Sequence, residues 1–281
     1  MKKLFPVLLI VPFLLVSCNA KASQKPDLLL VSTTSTQDSG LLDVLLPAFT
    51  TQTGYNVQLI AVGSGQALKI GEQGNADVIL LHSPAAEKEF VANGFGIDRR
   101  LVMHNDFVIV GPPSDPAALL SQPTLDSVFK AIFSSASTFV SRGDESGTHV
   151  KELTLWKNVG LDPVGQDWYL ETGQGQGATL SIASEKSGYA ITDRGTFLAY
   201  KSNVDLEILV EGDPALLNVY HVITVNPEKF PNTNVEGAKA FADFITSSAD
   251  QKIIGEFGVE QYGEPLFFPD ADKTDAELGL P

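Results

Sequence analysis

One repeated order constrains this chain more than any other feature. A short apolar run is followed by a turn rich in Ser, Thr and Gly, and then by residues with helical spacing. Residues 28–31 form a continuous apolar run, which predicts a buried parallel strand. The polar run 32–40 follows, and Leu41, Leu42, Val44, Leu45, Leu46 and Phe49 then recur at helical spacing. Residues 56–62 predict a second strand, followed by Gly63-Ser64-Gly65 and a helix around Ala67 to Ile70. Residues 78–81 predict a third, leading into His82-Ser83-Pro84 and a helix over 85–93. Strands alternating with helices predict βαβ units in an α/β fold with a mostly parallel sheet.

The design continues downstream. Residues 107–110 predict a strand ended by Gly111-Pro112-Pro113, where the chain is expected to cross into a second domain. A helix over 124–133 and a strand over 138–140 lead into Ser141-Arg142-Gly143-Asp144-Glu145-Ser146-Gly147-Thr148, with a helix over 149–157. A strand over 168–170 precedes Thr172-Gly173-Gln174-Gly175-Gln176-Gly177 and a helix over 178–184; a strand over 188–192 ends at Asp193-Arg194. The strand 220–225 reads as the return crossing, and helices over 235–247 and 249–257 complete the first domain. The acidic tail 269–281 is expected to be loosely held. The 281 residues suit two domains at roughly 150 residues each. The expected division is 27–108 with 221–281 as the first domain and 109–220 as the second.

The N-terminus reads as an address rather than as fold. Met1-Lys2-Lys3 is basic, and residues 4–17 are almost wholly apolar. That run is too short to span a bilayer and suits a signal peptide over 1–17. It ends in Leu15-Val16-Ser17-Cys18, which resembles the lipobox of bacterial lipoproteins, with Cys18 as the lipidated first residue and 18–26 as a tether. Cleavage after Ala20-Lys21-Ala22 is the rival. Either way the protein is expected to be exported, to a periplasm or a cell surface. Its contact with the membrane is expected through the lipid anchor only.

Composition removes other classes. The net charge is −15, from 34 acids against 19 bases, and loss of Lys2 and Lys3 takes it to −17. That balance lacks the basic stripe of a nucleic-acid binder. The single cysteine forbids an intrachain disulfide or a cysteine metal cluster, and His82, His104, His149 and His221 show no metal-ligand spacing. No cofactor and no metal cation are expected, and the protein is expected to be a monomer.

The chemistry lies in the turns. Helix N-termini leave backbone N–H groups unpaired and carry partial positive charge, so several aimed at one point make an anion site. The hydroxyls of Thr34, Ser35, Ser64, Ser146 and Thr148 and the backbone at Gly147 add neutral donors; Thr33, Ser83 and Thr172 are secondary candidates. In open α/β sheets such loops lie at the carboxyl ends of strands, where ligands bind. Each loop alone also reads as an ordinary helix cap. Arg142 offers a forked, permanently charged donor to an oxyanion, or else a surface pair with Asp144 or Glu145. Arg194 reaches the same cleft, or else pairs with Asp193. Residues 173–177 are one residue short of a dinucleotide fingerprint.

Taken together the motifs resemble the tungstate-binding proteins of bacterial ABC transporters. The matching stretches are Thr33-Thr34-Ser35-Thr36-Gln37-Asp38-Ser39-Gly40-Leu41-Leu42, Val62-Gly63-Ser64-Gly65-Gln66-Ala67-Leu68, His82-Ser83-Pro84-Ala85-Ala86-Glu87, and Asn105-Asp106-Phe107-Val108-Ile109-Val110-Gly111-Pro112. The run from Ser141 to His149, Glu171-Thr172-Gly173-Gln174-Gly175 and Thr192-Asp193-Arg194-Gly195-Thr196 match as well. The resemblance implies a two-domain type II periplasmic-binding-protein fold with a ligand cleft between the domains. It implies a receptor that hands an oxyanion, tungstate or molybdate, to an ABC permease. The family often has threonine where this chain has Ser32 and Ser64; the hydroxyl is kept. Phosphate and sulfate remain as other oxyanions. A secreted hydrolase using Ser146, His149 and Asp144 is the rival of another class, with poor triad geometry. A purely structural lipoprotein is a further alternative.

Overall fold

The computed structural model describes residues 25–144 and 146–280. The expected signal peptide, the Cys18 lipidation site and most of the tether lie outside the described residues, as does Glu145. The first part alternates as the patterning predicts. Strand β1 (Leu28–Thr33) leads through the short helix α1 (Thr34–Asp38) into α2 (Leu41–Thr53). Then come β2 (Val57–Val62), α3 (Ser64–Glu72), β3 (Val78–Leu81) and α4 (Pro84–Ala92). Strand β1 is parallel to β2 on one side and β3 on the other. Thr33 is level with Val62, and Ser32 with Leu80. The loops leaving all three strands therefore share one edge of the sheet.

The next strand is longer than its apolar signature. Strand β4 (Gly96–Gly111) runs for 16 residues, whereas the sequence shows an apolar strand only over 107–110. Its first half carries Asp98, Arg99, Arg100, His104, Asn105 and Asp106, and that polarity hides it. These side chains are paired rather than solvated: Arg99 bonds Glu87 and Asp275, and Arg100 bonds Asp98 and Asp243.

Beyond β4 come α5 (Leu125–Ser135), β5 (Phe139–Ser141), α6 (Gly147–Asn158), β6 (Tyr169–Glu171) and α7 (Gln176–Glu185). Then follow β7 (Ala190–Asp193), α8 (Arg194–Tyr200) and β8 (Glu207–Val210). Strand β9 (Leu217–Val225) returns antiparallel to β4 and next to β3. Helices α9 (Val235–Ile245), α10 (Ser248–Glu256) and α11 (Val259–Tyr262) precede the short β10 (Phe268–Pro269).

The main sheet runs in the order β10-β4-β9-β3-β1-β2, with β7 and β8 also on β4; β5 and β6 form a separate parallel pair. Every pairing of β4 is antiparallel, as is that of β9 with β3. The α/β sheet is therefore mixed, with less parallel pairing than the strand–helix alternation suggests. Strand β4 serves two groups. Its residues 96–106 pair with β9 and residues 107–111 with β7 and β8. One core packs Leu30, Phe49, Leu80, Val222 and Phe241. Another, built on the far half of β4, packs Phe107, Ile109, Phe129, Phe139, Trp156 and Tyr189.

The acidic tail departs from expectation: it is docked, not loose. Asp270 is fully buried, 2.6 Å from His104 Nδ1 and 2.8 Å from Lys273 Nζ. Asp275 lies 3.0 Å from both Arg99 Nη1 and His221 Nε2 and 3.1 Å from Lys88 Nζ. Leu278 packs with Leu101 and Val219. The acids that read as a solvated run meet bases from β4, β9 and α4.

Candidate functional site

The first bank of donors stands at the carboxyl ends of β1, β2 and β3. Thr33 leaves β1 with extended backbone and caps α1, accepting the Thr36 N–H at 3.2 Å. Its Oγ1 is also 2.6 Å from Thr36 Oγ1 and 3.1 Å from His82 Nε2. Thr33 is thus buried and occupied by the turn, whereas Thr34 and Ser35 are exposed beyond it. Ser35 Oγ lies 3.3 Å from the same His82 nitrogen. Ser64 is the first residue of α3. Ser83 caps α4, and its backbone N–H donates to Glu87 Oε1 at 2.6 Å. Glu87 is fully buried between Arg99 and His221. A buried charge chain thereby fixes the His82-Ser83 loop.

This bank has a neutral floor. The His82 ring lies over Tyr220, with centroids 4.8 Å apart. Burial pushes the His82 pKa below its ordinary value; the Asn218 hydrogen bond and the Glu87 charge oppose this, and the Lys151 charge adds to it. Burial likewise pushes the Tyr220 phenol up, partly opposed by hydrogen bonding from Thr36 and Asn218. At neutral pH both rings are uncharged, and the hydroxyls around them are neutral donors.

The second bank lies at the start of α6. Arg142 donates from Nε and Nη2 to Asp144 Oδ2 at 3.0 and 2.5 Å. The other Asp144 oxygen accepts the Ser146 N–H at 3.1 Å. Burial pushes the Asp144 carboxyl up, but the hydrogen bonds from Ser146 and Arg142 outweigh it and hold the pKa below the ordinary value. Both contacts use one edge of the guanidinium, and Nη1 has no hydrogen bond among the described residues. Ser146 caps α6, its Oγ accepting the His149 backbone N–H at 3.3 Å. The next N–H groups, at Gly147 and Thr148, have no intrahelical acceptor, as at any helix start. Thr172 braces this loop: its N–H donates to Ser141 O at 3.0 Å and its hydroxyl to Arg142 O at 3.2 Å.

Arg194 is placed differently from its sequence expectation. It is buried at the start of α8, and its guanidinium is largely committed to carboxylates. Nε and Nη2 donate to Asp106 at 2.8 and 2.6 Å, Nη2 also to Glu211 at 2.5 Å, and Nη1 to Glu264 at 3.1 Å. This ties α8 to β4 and to the segment after α11. Hydrogen bonding to Asp106 raises its already high pKa further. It is a strut, not a free donor. Asp193, its expected partner, instead caps α8, accepting the Thr196 N–H at 2.8 Å and hydroxyl at 2.7 Å.

A cavity of about 520 Å³ meets the first bank at His82; Thr34, Ser35, Ser64, Arg142, Ser146, Gly147 and Thr148 do not line it. His82 and Pro84 line it together with Lys151, Thr154 and Asn158 further along α6, Asp213, and Leu217 and Asn218 of β9. The structure gathers Thr33, Ser35 and His82 in one cluster and Arg142, Ser146 and Thr172 in the other. No described hydrogen bond joins the two clusters. The sequence reading missed Thr36, His82, Lys151, Asn218 and Tyr220 as site neighbours. The available signal was a polar residue directly after a buried strand, as His82 follows Leu81.

The arrangement presents hydroxyls, backbone N–H groups and one half-paired guanidinium, and its nearby carboxylates are turned into caps and pairs. It offers an acceptor-only ligand many hydrogen bonds. It does not assemble a hydrolase triad, because Ser146 Oγ serves the His149 backbone and Asp144 serves Arg142 and the Ser146 backbone. Among the described residues no group of three or more His, Cys, Asp or Glu side chains is placed to hold a metal ion. No described helix is long and apolar enough to cross a membrane.

Comparison with known proteins gives a consistent result. Residues 20–249 match the PBP superfamily domain. The tungstate-binding protein TupA of Peptoclostridium acidaminophilum is 52% identical over 255 residues, which cover 90% of this chain and 89% of the relative. TupA of Campylobacter jejuni is 44% identical over 241 residues, 84% of this chain and 88% of the relative. Among solved structures, the tungstate-binding protein TupA from Desulfovibrio alaskensis G20 superposes with a TM-score of 0.83. It is 46% identical, and the match covers 88% of this chain and all of that one.

Proposed function

The chain belongs to the tungstate-binding proteins of the periplasmic-binding-protein superfamily, and we propose that it captures tungstate in the cleft between two lobes and delivers it to an ABC permease. It is a solute receptor outside the cytoplasm, not an enzyme. Residues 27–108 with 221–281 form one lobe and 109–220 the other, with β4 and β9 as the connections. Cys18 carries a lipid that tethers a monomer to the membrane.

One observation supports the ligand class: hydroxyls and helix N–H groups gather at the strand ends, while Asp144 and Asp193 are engaged in internal bonds. Tungstate is a tetrahedral dianion that only accepts hydrogen bonds at neutral pH. Thr34, Ser35 and Ser64 supply hydroxyls from the first lobe. Arg142, Ser146, Gly147 and Thr148 supply charge, hydroxyls and helix N–H groups from the second. Thr33 and Thr172 hold the loops in shape, and Ser83 stands at the edge of the first bank. Arg194 is left out of the ligand set, because its carboxylate partners occupy it. A phosphate carrying a proton would need an acceptor. Asp38, Asp144 and Asp193 are the near candidates; Asp144 and Asp193 are spent on internal bonds, and Asp38 lies exposed at the end of α1. The same arrangement accepts molybdate, which has the same charge and nearly the same size.

Closure of the lobes completes the shell and dries it, which strengthens every hydrogen bond in it. Thermal unfolding tests the reading. A ligand at about a hundred times its Kd stabilises by about 2.7 kcal/mol, so tungstate should raise the melting temperature by several degrees while sulfate and phosphate leave it unchanged. A melting temperature indifferent to tungstate would sink the proposal.

A further inference from the structure

Neither Arg142 nor Arg194 brings much net charge to the cleft. Arg142 is neutralised by Asp144, and Arg194 is outnumbered by Asp106, Glu211 and Glu264. A cation nearby would add to the neutral donors in holding a dianion. Lys151 lies on α6 four residues after Gly147, on the same helix face and about 6 Å further along the axis. It lines the 520 Å³ cavity that His82 also lines, and the His82 ring lies within hydrogen-bonding distance of Thr33 and Ser35. Its described contacts are the Leu217 carbonyl at 3.4 Å and the face of Phe107 at 5.6 Å. No described carboxylate forms an ion pair with it.

We propose that Lys151 is the cation that balances the bound oxyanion, acting from the cavity wall one helical turn behind the Gly147 N–H. This rests on the oxyanion-receptor reading. Burial pushes the Lys151 pKa below its ordinary value, so its charge is lost as pH rises through a range below that of a free lysine. His82 and Asp213 line the same cavity; His149 and Glu152 lie on its own helix, and Tyr220 lies under His82. His82 stays neutral and Tyr220 protonated above pH 8. Glu152, whose pKa burial pushes up to about 7, is also past its titration there. A window of pH 8 to 10.5 lies above the titration of Glu152 and below that of Tyr220, and two variants at Lys151 separate it from the other lysines.

The test is the tungstate Kd over that window, at fixed salt, for the wild-type chain, Lys151→Met and Lys151→Arg. Wild type should weaken as pH rises across the window, toward about tenfold once the nearby charge is lost. Lys151→Arg should stay nearly flat, since guanidinium keeps its proton. Lys151→Met should bind about tenfold more weakly at pH 8 and show no slope. A merely structural lysine would not give the arginine variant a flatter profile. Parallel profiles for wild type and Lys151→Arg, or wild-type affinity in Lys151→Met, would overturn the inference alone. If the methionine variant does not fold, the arginine profile decides. Silence of the wild-type chain toward tungstate would overturn the receptor reading and this inference together.

Discussion

Arg142 and Arg194 are the same residue type in similar strand-to-helix turns, yet their surroundings assign them opposite tasks. Arg142 bonds one carboxylate through one edge, and its Nη1 has no hydrogen bond among the described residues. Arg194 meets three carboxylates and locks α8 to β4. Arg142→Ala should therefore weaken tungstate binding about 10- to 100-fold, the equivalent of one hydrogen bond to a charged group, with the melting temperature of the free protein nearly unchanged. Titration of the variant at equal salt checks this, and wild-type affinity would remove Arg142 from the site. Thr34→Ala removes one neutral donor among several and should cost about 1 kcal/mol, or about fivefold. Glu152 gives a pH signature of another kind. It is buried beneath the Arg142 loop, accepts the Tyr169 hydroxyl at 2.7 Å, and has its pKa pushed up to about 7 by burial. The unfolded chain releases this proton near pH 4.5 and the folded chain near pH 7, so folding stability falls as pH rises between them. Glu152→Gln should remove that fall, stabilising the protein at pH 7.5 by roughly 1–3 kcal/mol and changing little at pH 4. Denaturant unfolding at both pH values measures it, and equal effects at the two would exclude the ionisation.

At the scale of elements, β1 to α4 were legible because short buried strands and periodic helices leave a direct pattern. Strand β4 was legible only over its apolar half, since its polar half is satisfied by partners far along the chain. The tail was misread for the same reason: Asp275 looks solvated in sequence, and only the fold brings Arg99 and His221 to it. The donor loops could be found because a hydroxyl at a strand end is a local signal. Which arginine stays free could not, because Glu211 and Glu264 reach Arg194 through tertiary contacts. Burial alone would raise the Asp275 pKa, but hydrogen bonds from Arg99, His221 and Lys88 overcome it and pull it down to about 2. Its stabilisation is present above the unfolded value near 3.8 and is lost as pH falls toward 2. Asp275→Asn should accordingly lower stability at pH 7 by about 2 kcal/mol, with the difference vanishing in strong acid. An unchanged unfolding midpoint at pH 7 would show that the tail is held by Leu278 and Asp270 instead.

At the scale of the molecule, a protein with a net charge of −15 binds an anion. Surface charges beyond about 8–10 Å are screened at physiological salt, so the local field of the cleft decides the outcome. On the proposed reading the lobes close about β4 and β9, which connect them. Tungstate should therefore contract the protein, seen as a smaller radius of gyration in solution scattering, and sulfate should not. The most direct measurement is calorimetric titration of the soluble chain from residue 21 with tungstate, molybdate, sulfate and phosphate. Tight one-to-one binding of tungstate, with molybdate weaker and sulfate and phosphate silent, is the expected result. Binding of phosphate as tight as that of tungstate, or silence with all four, would contradict a cleft built of donors for a fully deprotonated oxyanion.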